Sequence, residues 1–242
     1  MRNIYIVLFT LVFLLSLVGC ENQNILSRDE TNTSTSEEQF EQIGQEILQY
    51  PGQNSDYKYY VYETYVEIVQ YIGENTEVII PDEIESKPVR VIGENAFRIV
   101  SGSSYRGNTS LQSVTMTDNI LLIKEYAFFC CVNLAAVRMS SNLQVIERKS
   151  FDGCEWLVKV ILPEGIKEIG EYAFANCTNL CEINIPRSVS KIGIYAIGWN
   201  GNWDEGHLIN EKTCITIHKA SYGLNWVLNQ KYEQLTNYRI VD

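Results

Sequence analysis

The chain has 242 residues, of which 45% are hydrophobic and 20% charged, a balance that supplies an ordinary globular core. Lys and Arg number 19 against 30 Asp and Glu, for a formal net charge of −11. That charge argues against nucleic acid and against a polybasic hold on anionic lipid, because both need a cationic face. Only two His are present, His207 and His218, too few for most His-based metal and acid–base sites.

The first element is a targeting segment. Met1-Arg2-Asn3 gives a short positive end, and Ile4 to Val18 is an apolar run interrupted only by Thr10 and Ser16. Its length suits a secretory h-region and falls short of the roughly 20 residues that span a bilayer as a helix. It closes on Leu17-Val18-Gly19-Cys20, which resembles the bacterial lipobox. That resemblance implies cleavage before Cys20, diacylglycerol on its thiol and an acylated new N-terminus, so residues 1–19 are expected to be a lipoprotein signal peptide. Two or more acyl chains hold stably where a single chain is marginal. The expected location is the cell envelope, facing outside the cytoplasm on a plasma membrane or an outer membrane.

Residues 20–56 read as anchor and tether. Asn, Gln, Ser, Thr and Glu dominate from Glu21, with a Thr33 to Ser36 run of alternating Thr and Ser. Such a composition buries too little apolar surface to offset chain entropy. Phe40, Ile43, Ile47 and Leu48 have helical spacing, which predicts one short amphipathic helix ended by Pro51-Gly52.

The rest of the chain repeats. Ile169-Gly170-Glu171-Tyr172-Ala173-Phe174 echoes Ile92-Gly93-Glu94-Asn95-Ala96-Phe97, with weaker copies starting at Ile123, Ile146 and Ile192. The last four starts lie 23 residues apart, and the first interval is longer by an eight-residue insertion that contains Gly102, Ser103 and Gly107. A second unit, Leu-x-x-Val-x-Ile, recurs between them at Leu111, Leu134, Leu157 and Leu180. Within it the residues two apart point inward, the period of a strand. Ala-Phe-x-x-Cys-x-x-Leu has apolar spacing of three, which predicts a helical turn opposite the strand. No unit buries its apolar face alone, so neighbours must stack into a solenoid.

The full phrase from Ile169 to Pro186 resembles the repeat of BspA-like leucine-rich repeat surface proteins. The resemblance covers residues 58 to 228 or so and implies an α/β repeat fold, a short solenoid of about five 23-residue repeats. Residues 57–242 are then the repeat domain, with a strand-rich N-terminal cap at 57–91, repeats at 92–217 and a C-terminal cap at 218–242. The C-terminal helix is expected to bury Leu224, Val227 and Leu228. Cys131, Cys154 and Cys177 each follow the repeat Phe by three and form an inward ladder. Parallel side-chain vectors disfavour the disulfide dihedral, so they read as small buried hydrophobes and free thiols.

Candidate sites are few. Hydrolase, P-loop, zinc-protease and dinucleotide motifs are missing from the sequence, and no cofactor and no enzyme activity are expected; a glycan- or peptide-cleaving enzyme is the least favoured reading. One candidate is the loop Trp199, Asn200, Asn202, Trp203, Asp204, whose rings would stack on sugar or, as the blander alternative, cap the core. Asn200, Asn202, Asp204 and Glu211 loosely echo a calcium loop, with Glu205 where Gly belongs. The other candidate is the outward strand face, Thr115, Arg138, Lys159, Ile161, Glu182 and Asn184, a mixed stripe of the kind along which solenoids bind ligands. The family resemblance implies a lipid-anchored adhesion or recognition module whose partner is a protein or polysaccharide at the cell surface. Membrane contact is through the anchor alone, and a carbohydrate-binding lipoprotein using Trp199 and Trp203 is the alternative.

Overall fold

The computed structural model describes residues 47–101, 104–201, 208–209, 213–228 and 238–242, all within one compact unit spanning Ser34–Asp242. Two sheets run the length of the repeats. The first joins β1 (Ile47–Gln53), β2 (Tyr57–Tyr62) and β3 (Val66–Tyr71) to β6 (Lys87–Ile92) and then to the two-residue strands β10 (Leu122–Ile123), β12 (Val145–Ile146), β14 (Glu168–Ile169) and β16 (Lys191–Ile192). The second runs from β4 (Glu77–Ile79) through β9 (Ser113–Thr115), β11 (Ala136–Arg138), β13 (Lys159–Val160) and β15 (Glu182–Ile185) to β19 (Cys214–His218) and β20 (Tyr238–Val241). All pairings between repeats are parallel and in register, so equivalent residues stack: Ile92, Ile123, Ile146, Ile169 and Ile192 form one continuous row.

The α/β expectation for the repeats is corrected. The Ala-Phe segment is a turn, not a helix, because two left-handed residues four apart flank it in successive repeats. They are Tyr126 and Cys130, Lys149 and Gly153, Tyr172 and Asn176, with φ between 52° and 79°. An α-helix needs consecutive negative φ, and left-handed residues interrupt it. The turn aims the repeat Phe inward. Phe97, Phe128, Phe151 and Phe174 stack with centroid separations of 4.6, 4.9 and 5.2 Å, and all are essentially inaccessible. Burying each ring stabilises the stack by about 1.5–3 kcal/mol relative to leaving it exposed.

Polar groups tie the layers together as well. Asn133 Nδ2 donates to the Thr109 carbonyl at 2.7 Å and Asn179 Nδ2 to the Glu155 carbonyl at 2.8 Å. On the inner side, the thiols of Cys131, Cys154 and Cys177 point at the carbonyls of Phe97, Phe128 and Phe151 in the preceding repeat, at 3.6, 3.3 and 3.2 Å. The cysteines among the described residues are free. Burial pushes the Cys131 thiol up to about 12 and raises Cys154 and Cys177 as well.

Both ends differ in detail from the sequence expectation. Ile47–Gln53 is a strand antiparallel to β2, so Ile47 and Leu48 are not helical and a strand lies inside the stretch read as tether; Phe40 and Ile43 lie outside the described residues. Pro51-Gly52 falls at a register shift in this outermost strand, where a missing N–H costs no ladder bond. Gly52 is required there, since a Cβ would lie 2.2 Å from the Tyr59 ring. The insertion of the first repeat is a hairpin, β7 (Arg98–Ser101) with β8 (Ser104–Gly107). Its base is clamped by Arg98, which donates to Asn95 and lies over the Tyr105 and Phe129 rings. At the other end, α1 (Tyr222–Leu228) buries Val227 and Gly223 and half-buries Leu224 and Trp226, whereas Leu228 is 61% exposed, contrary to expectation. A seven-residue helix has one buried stripe, and Leu228 lies next to Val227 but off it.

Candidate functional site

Parallel register builds the outward face of the second sheet. Glu77, Ser113, Ala136, Lys159, Glu182 and Cys214 are paired in one row across it. Ile79, Thr115 and Arg138 pair in the next row, as do Asn184, Thr216 and Arg239 further along. The alternation of a strand puts these side chains opposite the core row of Val114, Val160, Ile183 and Ile215. Thr115, Arg138, Lys159, Ile161, Glu182 and Asn184 therefore share one surface, as the repeat register predicts.

They do different jobs there. Asn184 is occupied structurally: its Oδ1 accepts from Leu162 N at 2.7 Å and its Nδ2 donates to the Leu162 carbonyl at 3.0 Å. Lys159 and Glu182 form an ion pair at 2.8 Å, with both side chains about half exposed. Arg138 Nη1 donates to the Met116 carbonyl at 3.0 Å. Arg138 also adds to the hydrogen bonds from Ser141 that hold the Asp118 carboxyl below its usual range. Ile161 is 62% exposed, Ile79 72% and Val158 47%. An open depression of about 480 Å³ is lined by Ala135, Ala136, Val137, Arg138, Met139, Val158, Lys159 and Ile161.

Sequence reasoning missed one exposed ring, two residues ahead of Val158 in the chain. Trp156 is 58% exposed, and it occupies the repeat position held by Asn133 and Asn179, 23 residues to either side. Alignment on apolar positions alone hides it; the interrupted Asn pattern is the signal that could have found it.

Of the two readings of the Trp loop, Trp199 follows the capping one. Trp199 is buried, edge-on to Tyr172 at 5.5 Å and 5.9 Å from Tyr195, so it caps the aromatic edge of the stack and offers no free ring to a sugar. Asn200 lies in β17 (Trp199–Asn200), paired with β18 (Leu208–Ile209). Asn202, Trp203, Asp204 and Glu211 lie outside the described residues, as does Cys20. Among the described residues no three His, Cys, Asp or Glu converge on a point that could hold a metal ion, and no helix is long and apolar enough to cross a membrane.

Residues 92–199 match, in six copies, the model of the BspA type leucine rich repeat region. Among solved structures the chain is similar to a leucine rich repeat protein of T. pallidum, at 22% identity over 69% of this chain and 70% of that one, with a TM-score of 0.57. It is also similar to a leucine-rich repeat protein from Bacteroides ovatus, at 22% identity and TM-score 0.55, over 69% of this chain but only 46% of the other. At these identities the likeness concerns the fold. No curated protein sequence matches the chain. The repeat phrase, the two parallel ladders and the Phe stack meet in one conclusion: residues 92–199 form a BspA-type leucine-rich repeat region.

Proposed function

We propose that this chain is a lipid-anchored module of the cell surface that binds a protein through the outward face of its second sheet. The observation that carries the reading is the apolar exposure on that face. Val158 and Ile161 stand in water together at the depression, and Ile79 is exposed on the same face three strands away. Contiguous exposed apolar surface rimmed by polar groups marks interaction sites, and repeat solenoids use their extended faces in this way. The apolar run Ile4 to Val18 and the Leu17-Val18-Gly19-Cys20 sequence support export and anchoring. The BspA-type repeats support recognition or adhesion as the purpose.

Two experiments test it. Mass spectrometry of the mature protein should find diacylglycerol and an acyl chain on Cys20; an unmodified Cys20 at the mature N-terminus refutes the anchor. Immobilised protein should retain a surface-exposed protein from cell, matrix or microbial fractions and lose it on Ile161→Asp. Retention of nothing, or equal retention by the variant, refutes binding through this face.

A further inference from the structure

Resting on that reading, we propose that the depression over β11 and β13 takes an extended acidic–apolar segment of the partner protein. An apolar side chain would seat over Ala135 and Ala136, and a neighbouring carboxylate would meet Arg138.

Size comes first. Ala135 and Ala136 are both exposed, and they stand where the next repeat has Val158 and Lys159. Small side chains set a floor below the level of their neighbours. The resulting volume of about 480 Å³ lies within the range of pockets that hold small groups, here one or two side chains of a single chain laid across strands about 4.8 Å apart.

Charge decides the partner. The lining holds two charged residues, Arg138 and Lys159, and no carboxylate, in a chain whose net charge is −11. The acids on which these two cations act within the chain are Glu182, paired with Lys159, and Asp118, whose carboxyl Arg138 helps to hold down. Arg138 donates one bond to Met116 O, and a guanidinium carries five donors. Among the described residues no carboxylate lies within salt-bridge distance of it. Lys159 is held by Glu182, but that pair is about half exposed on each side and so is weak and exchangeable. No Asn, Asp, Glu or aromatic ring lines the depression, so the groups that would grip a sugar ring are missing from its wall.

Trp156 is the exposed ring closest in sequence to the lining. Asn133 and Asn179 each donate to a backbone carbonyl of the layer below, and the repeat between them gives up such a side-chain bond for a Trp that is 58% exposed. Nothing in the core clusters uses that ring. It sits two residues ahead of Val158 in the lining. Trp and Arg are the side chains that most often carry binding energy at protein interfaces.

The test selects short random peptides from a display library on the mature full-length protein in detergent. Enrichment of Asp or Glu beside Leu, Ile or Phe is expected. A synthetic peptide of the enriched sequence should bind less tightly as salt rises. Its affinity should fall by about tenfold or more on Arg138→Glu and on Ala136→Arg, which fills the floor. Trp156→Ala should weaken it severalfold. All three positions are at the surface, and circular dichroism confirms that each variant is folded. Selection that yields no binders, binders without acidic enrichment, or affinities unmoved by Arg138→Glu and Ala136→Arg overturn the proposal. If the immobilised protein retains a surface protein and Ala136→Arg leaves that retention intact, this proposal fails while the interaction reading stands. If nothing is retained at all, the interaction reading fails.

Discussion

Phe151→Ala tests the stack at its centre. The ring is fully buried between Phe128 and Phe174, at centroid distances of 4.9 and 5.2 Å and nearly parallel to both. Truncating a core Phe costs about 3–5 kcal/mol, and loss of two ring–ring contacts, each worth about 0.5–1.5 kcal/mol, puts this site at the upper end. In a solenoid the loss also falls on two interfaces, since each repeat contacts only its neighbours. Ile197 holds the equivalent position in the last repeat, bridged to Phe174 on one side only and 4% exposed. Its truncation should lie near the lower end of the range for Ile, about 2–3 kcal/mol. Phe151→Ala should therefore lower stability by at least about 1 kcal/mol more than Ile197→Ala, a further drop in Tm of about 2–4 °C at this chain length. Urea denaturation with unchanged slopes decides it, since an altered slope signals a change in the unfolded or native ensemble. Equal losses, or a near-silent Phe151→Ala, refute the register of the stack.

Three further outcomes are expected. The Cys131 thiol is raised from 9.0 to about 12 by burial, and Tyr57 and Tyr62 are raised for the same first reason. The unfolded chain therefore sheds these protons first, and stability present below pH 9 is lost as pH climbs toward 12; Cys131→Ala should flatten that slope in alkaline melts, and an unchanged slope counts against the burial argument. The tip of the hairpin between β5 (Glu83–Ile84) and β6 holds Glu85 and Ser86 at φ 53° and 60°, so Ser86→Gly should raise stability by about 0.5–1 kcal/mol by relieving a left-handed residue, and a lower Tm would refute this. Trp199→Ala should cost about 3 kcal/mol as the loss of a buried ring yet leave partner binding unchanged; loss of binding in a variant of normal stability would restore the ring as a recognition group.

The 23-residue period by itself determines the stacking and the inward row of Phe, Cys and Leu, because a repeat that cannot bury its own face has only its neighbours to bury it against. The same register put Thr115, Arg138, Lys159, Ile161, Glu182 and Asn184 on one surface. The first sheet was not legible: strands such as Val145–Ile146 are two residues long, too short for alternation to show, and they exist only because the neighbouring repeat supplies hydrogen bonds. The helical reading of Ala-Phe-x-x-Cys failed for a related reason. Apolar spacing of three fits a helix and a tight turn equally, and the left-handed φ of Lys149 or Tyr172 is imposed by packing rather than by residue type. Burial, too, belonged to the tertiary structure. Composition treats Trp156 and Trp199 alike, but a Tyr172–Tyr195 edge covers one, whereas the core rows pass the other by and leave it in solvent.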